Sequence, residues 1–274
     1  FKMRRRILIQ LFGLVATVLM VLPAYAQDYD VVILNGRVMD PETKYDDIAN
    51  VGIKNGAIAV ITKNKITGQK SIDATGHVVA PGFIDLHAHG QNIGDYRMQA
   101  MQGVTTMLEL EYGILPIGDW YDAQGKKNLP INYGASAAWT FGRIANYTGT
   151  PPEATVNYFQ DAQSRSDWKM TIADPLRVGE ILLLVEQGLK EGALGIGINA
   201  GYAPGYGRKE YFALAELAVK YDVATFTHVR YMSTIEPESS FEAVQELISI
   251  SALTGAHMHI CHINSTSLRD IDET

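Results

Sequence analysis

Two histidines one residue apart, in Asp85-Leu86-His87-Ala88-His89-Gly90, are the first residues whose type and spacing can do chemistry. Side chains on a strand alternate between faces, so His87 and His89 point the same way, and Asp85 shares that face. Two imidazoles held side by side at a rigid strand end suit a divalent metal, zinc before others. A lone His-x-His can equally be two polar residues at a strand terminus, so the weight rests on what accompanies it. Three further stretches do: Glu109-Leu110-Glu111, Thr227-His228-Val229-Arg230 and His259-Ile260-Cys261-His262. Glu109 and Glu111 share one strand face, and two carboxylates aimed into an apolar interior are costly without a cation to neutralise them. Glu is a good oxygen ligand for zinc and can bridge two ions. Glu111, nearer the strand's end, is the expected ligand, with Glu109 the alternative. Arg230, two residues beyond His228 on the same face, is placed to clamp a substrate carboxylate.

These residues need a scaffold that gathers them at one end. Val78, Val79, Phe83, Ile84 and Leu86 read as a buried strand bounded by turn residues. From residue 78 onward short apolar strands alternate with amphipathic helices, which argues for parallel βα units. Six strands are predicted, at 79–87, 105–111, 132–138, 194–198, 224–228 and 258–262. Helices are predicted at 175–191, 210–221 and 240–254, with Gly192 and Gly255 as stop signals. On a barrel of such units the active residues sit at the C-terminal strand ends, where this chain collects four His and a carboxylate. Residues 29–72 carry short strands and turn signals at Asn35-Gly36, Asn55-Gly56 and Thr67-Gly68. The expected fold class is therefore α/β: a (β/α)8 TIM-type barrel over 78–274, truncated after six units, behind a small β-domain over 27–77. A closed barrel takes roughly 250 residues, so two strands are expected beyond Thr274.

The run Pro81-Gly82-Phe83-Ile84-Asp85-Leu86-His87-Ala88-His89 resembles the first metal-binding motif of the amidohydrolase superfamily, Pro-Gly-Phe-Ile-Asp-x-His-x-His. Residues 29–79 resemble that family's N-terminal segment, so the resemblance covers nearly all of the chain after residue 26. It implies a metal-dependent hydrolase with one or two zinc ions, held by His on strands one, five and six. His87, His89, His228 and His262 match those ligands, with His257 and His259 left as non-ligands. Residues 193–204 resemble the N-acyl-D-amino-acid deacylase branch, where a Tyr followed by Pro after strand four faces the substrate; Tyr202 matches. That branch usually has a Cys at the end of strand two, near which Glu111 and Tyr112 stand here, and a Lys where this chain has Asn264. The implied reaction is hydrolysis of N-acyl amino acids, the D-isomers favoured. The general-base Asp of strand eight is expected beyond Thr274, so the chain as given is expected to be inactive. A cyclic-amide hydrolase of the hydantoinase or dihydroorotase type is the main alternative, weakened by the missing carboxylated-Lys motif. A deaminase would pair its strand-five His with a following Glu, which His228-Val229-Arg230 lacks. A non-catalytic metal-binding fragment is the third reading.

Residues 1–26 read as an export signal: Lys2, Arg4, Arg5 and Arg6, an apolar run over 7–22, then Ala24-Tyr25-Ala26. The apolar run falls short of the roughly 20 residues of a spanning helix, so cleavage, no lasting membrane association and a periplasmic or secreted location are expected. Composition is that of a globular chain, 47% hydrophobic and 19% charged. A net charge of −7 argues against a nucleic-acid partner and leaves a small-molecule substrate. The single cysteine, Cys261, excludes an internal disulfide and reads as a small buried residue.

Overall fold

The computed structural model describes residues 28–274, so the expected export signal lies outside the described residues. The chain divides between Pro81 and Gly82 into two units. In the first, β1 (Tyr29–Asp40), β2 (Tyr45–Lys54), β3 (Ala57–Thr62) and β4 (Gly68–Asp73) form a sheet in the order β3-β2-β1-β4. Asn55 and Gly56, both at positive φ, turn β2 back into β3. Asn35-Gly36 is not a turn. Its positive φ at Asn35 makes a bulge inside an otherwise continuous β1, where the register with β2 shifts. The two-residue strand β5 (Val78–Val79) pairs with β1, so the strand expected over 79–87 does not exist as one element.

The second unit carries six parallel strands hydrogen-bonded in chain order: β6 (Phe83–Asp85), β7 (Val104–Ile114), β8 (Asn132–Ala138), β9 (Gly195–Asn199), β10 (Ala224–His228) and β11 (Met258–Ile260). They curl into a half-barrel with helices between them. The helices are α1 (Ile93–Met101), α2 (Ile117–Gly125), α3 (Trp139–Thr148), α4 (Val156–Ala162), α5 (Asp167–Met170), α6 (Pro175–Lys190), α7 (Arg208–Lys220), α8 (Ser240–Thr254) and α9 (Ile263–Thr266). Local signals set the long ones. Asp174 caps α6 ahead of Pro175 at its first turn, and a Ser239–Glu242 capping box opens α8, which Gly255 closes in the left-handed conformation. Phe83 and Ile84 were expected in the core, yet each is about 60% exposed. β6 is an edge strand with β7 as its one ladder partner, so its apolar side chains lack the second neighbour that would cover them.

Strand alternation sorts the centre of the sheet. Ile196 and Ile198 of β9 face the helix layer and join Trp139, Ile181, Val185 and Leu214 in the main core. Thr227 of β10 faces the same layer, where its hydroxyl meets the Tyr211 hydroxyl at 2.9 Å. Asn199 and His228, on the other faces of β9 and β10, turn inward. Within the core the Arg143 guanidinium is fully buried. It donates to Glu210 Oε2 at 2.5 Å and to the carbonyls of Trp168 and Thr171, while the Trp139 indole donates to Glu210 Oε1. Removing one partner of a buried pair leaves an uncompensated charge. Arg143→Met is therefore expected to lower unfolding free energy by about 3–5 kcal/mol in a urea titration. A variant as stable as the parent would show that Glu210 finds another partner.

Candidate metal centre

The site is built where strands stop being regular. β6 ends at Asp85, but the chain keeps leaning on β7: Ala88 N–H donates to the Leu108 carbonyl, and His87 lies opposite Glu109. Asp85 steadies this exit, accepting from the His87 backbone N–H through Oδ1 and from Gln99 through Oδ2. The rings of His87 and His89 sit 4.8 Å apart, centre to centre. On β7 the ladder with β8 slips, so the stretch from Glu109 to Ile114 faces only Ala135 to Ala137. Gly113, at φ +69°, allows the slip, since a side chain there would also strike the Ala138 backbone. This irregularity carries Glu111 and Tyr112 inward. His228 ends β10, and its imidazole passes so close to Gly201 that a Cβ there would lie 2.6 Å from the ring. His262 follows β11 in a left-handed conformation, φ +38°, unusual for a residue with a side chain. That turn brings its ring 4.7 Å from His228 and 5.1 Å from His87.

The Glu111 carboxylate lies at the centre of these rings. Oε2 is 2.7 Å from His87 Nε2, 3.5 Å from His89 Nε2 and 3.5 Å from His262 Nε2; Oε1 is 2.9 Å from His228 Nδ1. Two ligand groups result, His87–His89–Glu111 and Glu111–His228–His262, each with its donor atoms within 4.8 Å of one another. All five ligand candidates from the sequence are thus brought together, with Glu111 common to both groups. Glu109 stands one layer out. Its two oxygens lie 3.0 and 3.2 Å from His89 Nδ1, which fixes the proton on that nitrogen and leaves Nε2 facing Glu111. His257 and His259 are exposed and belong to neither group.

The charges match the arrangement. Burial would raise the Glu111 carboxyl, but hydrogen bonds with His228 and His89 outweigh it and hold it below the usual carboxylate range. Hydrogen bonds to Glu109 and then Glu111 raise the His89 imidazole to about 10 against desolvation. Burial lowers His87 and raises Glu109. His87 Nε2 and His89 Nε2 face each other at 3.1 Å, an approach of two lone pairs that a cation or proton must relieve. Nitrogen and carboxylate donors aimed at one point, around a buried anion, fit a divalent cation of the zinc type.

A cavity of about 540 Å³ opens beside the centre, lined by His89, Glu111, Tyr112, Lys127, Asn199 and Tyr202 among others. Tyr202 stands against His228, ring centres 5.2 Å apart. Arg230 does not reach this cavity as a substrate clamp. It is buried, donates to both Glu246 oxygens at 2.9 and 2.7 Å, and gives Nη1 to the carbonyls of Pro204 and Tyr206. Tyr206 lies under its guanidinium at 3.5 Å. With its fork used within the protein, Arg230 holds the Tyr202 loop in place. Asn199, which no sequence signal marked, donates to Glu111 Oε1 at 3.2 Å.

Metal content measured by elemental analysis should fall by at least one ion in His87→Ala and in His228→Ala, each of which breaks one ligand group. Glu111→Gln should lower it more than Glu109→Gln. Unchanged metal in both histidine variants would sink the centre, and a reversed order of the two glutamates would move the shared role to Glu109.

Residues 70–273 match the family described as "Amidohydrolase family". Allantoinase of Enterococcus faecalis is 27% identical over 251 residues, covering 85% of this chain and 54% of that protein. A D-aminoacylase crystal structure superposes with a TM-score of 0.67 at 21% identity, covering 85% of this chain and 51% of that one. The N-acyl-D-glutamate deacylase of Bordetella bronchiseptica, solved with zinc and a phosphonate inhibitor, gives 0.68 at 20% identity, covering 89% and 56%. The chain spans about half the length of each, and the two structural likenesses bear on the fold. With a half-barrel of parallel strands, a histidine-rich centre at their C-terminal ends and a family match across most of its length, this chain belongs to the amidohydrolase family.

Proposed function

We propose that the protein is an exported, zinc-dependent hydrolase of N-acyl amino acids, the D-isomers favoured. The observation that carries this reading is Glu111. A strand-two carboxylate stands between two ligand groups, so the centre needs no carboxylated lysine to join them. His87, His89, His228 and His262 with Glu111 would hold one or two zinc ions. When bound there, zinc supplies Lewis acidity and activates water near neutral pH. Glu109 keeps the His89 proton on Nδ1, away from the reacting side. Tyr202 forms a wall of the cavity against His228, held by the Arg230–Glu246 pair behind its loop. Lys127 brings a cation to the cavity lining and takes the role expected of Arg230, pairing with the substrate carboxylate.

One observation favours a second reading, hydrolysis of a cyclic amide: the relative at 27% identity is an allantoinase, and allantoin is a cyclic ureide. Every N-acyl amino acid carries a carboxylate, which hydantoin among the cyclic amides lacks. Zinc-loaded protein from the full reading frame is to be assayed on N-acetyl-D- and L-amino acids, hydantoin and dihydroorotate. The D-amino-acid derivatives should be cleaved fastest. Lys127→Met should raise their KM about tenfold or more, the loss of one charge-assisted hydrogen bond, and leave the neutral hydantoin unaffected. Turnover of hydantoin or dihydroorotate with none of the acylated amino acids would replace the deacylase reading with the cyclic-amide one.

A further inference from the structure

Buried polar side-chain atoms without a hydrogen-bond partner are few among the described residues, and three of them belong to this site: the Tyr112 hydroxyl, Asn199 Oδ1 and His262 Nδ1. The last is the far nitrogen of a candidate metal ligand. The residues that carry the other two, Tyr112 and Asn199, line the same cavity beside the metal centre. The Tyr112 ring packs edge-on against Phe159 and Phe141, with centres 4.8 and 5.7 Å away, and lies 6.2 Å from the His89 ring. A phenylalanine would fill that space equally well. The hydroxyl is therefore a net cost to the fold unless something else pairs with it. Asn199 is almost fully buried at the end of β9. Its Nδ2 donates to Glu111 Oε1, which fixes the orientation of the amide and leaves Oδ1 free.

The side chains lining the cavity thus include one buried unused donor and one buried unused acceptor. A secondary amide presents the converse pair, a carbonyl oxygen and an N–H. We propose that Tyr112 and Asn199 recognise the substrate's amide group, the Tyr112 hydroxyl donating to the carbonyl oxygen and Asn199 Oδ1 accepting from the N–H. The assignment rests on amide hydrolysis as the reaction but not on the choice between open and cyclic amides. Glu109, Glu111 and the histidines are already committed to one another, which leaves Tyr112 and Asn199 as the lining residues with a buried, unpartnered polar atom.

Tyr112→Phe removes one oxygen and keeps the packing. In zinc-loaded full-length protein it should lower kcat/KM about tenfold or more on whichever amide the parent cleaves, with zinc content unchanged. Its Tm should stay the same or rise, because the folded protein loses an unpaired buried hydroxyl. Asn199→Leu should lower the rate per bound zinc by a similar factor. A kcat/KM within twofold of the parent, or a Tyr112→Phe protein that melts earlier, overturns the assignment for Tyr112, and an unchanged rate per zinc overturns it for Asn199. If the parent opens hydantoin but ignores N-acetyl-D-amino acids, the deacylase reading fails while the amide contacts stand or fall on the same variants. If the parent cleaves neither, calorimetric titration with N-acetyl-D-glutamate and hydantoin decides: weaker binding to Tyr112→Phe and Asn199→Leu supports the contacts, and equal or absent binding overturns them.

Discussion

The buried Glu111 carboxylate is the constraint on which the site depends. An ionised carboxylate removed from water carries a penalty of several kcal/mol unless charge and hydrogen bonds surround it. Here four imidazoles do so, contributed from after β6, from the end of β10 and from after β11, and the Asn199 amide joins them from β9. The strands are therefore tied at their C-terminal ends by one anion as well as by their backbone ladder. Displacing any of these ends leaves the carboxylate short of a partner. The same grouping holds the carboxyl below the usual carboxylate range, although burial pushes it the other way. A cation entering the centre meets a ligand already charged, and has to displace a proton from His89.

Irregular backbone brings the ligands together. Were β7 straight, Glu109 and Glu111 would occupy one face as equivalent candidates. The slip before Ile114, with Gly113 in its positive-φ position, separates them into a central residue and one that orients His89. The left-handed His262 does similar service after β11, where a regular strand would send a residue three places from His259 toward the opposite side. Both departures sacrifice local comfort at the place where function is concentrated.

Much of this was legible in the sequence because periodic patterns report regular elements. The helix over 240–254 and the strands over 132–138 and 224–228 stand where apolar spacing and stop signals put them. His87, His89, Glu111, His228 and His262, expected as ligands from their places near strand ends, are brought together in two groups. The failures come from information that a local pattern does not hold. Phe83 and Ile84 have the composition of core residues, but their exposure depends on how many neighbours β6 has. Asn35-Gly36 has turn chemistry that a bulge uses equally well. Arg230 stands two residues from His228, but its fate is set by Glu246, a full loop and half a helix away. Asn199 is silent because β9 gives no hint that its last side chain faces a carboxylate from β7.

The fate of Arg230 also explains how a segment without a ladder can form a wall of the cavity. The loop from Ala200 to Gly207 carries Tyr202 and lies between two buried arginine–glutamate pairs. Arg230 and Glu246 hold its carbonyls at Pro204 and Tyr206, and Arg143 holds Glu210 at the start of α7 just beyond it. Trp139 joins the two, donating to Glu210 and packing its ring 5.1 Å from Tyr206. An exposed ion pair would add little rigidity, because its side chains stay mobile in water. Buried, with nearly every donor engaged, each arginine has one arrangement available, and the loop inherits that restriction. The cavity wall at Tyr202 is thereby held in one arrangement, and a wall held in advance discriminates between ligands instead of adapting to them.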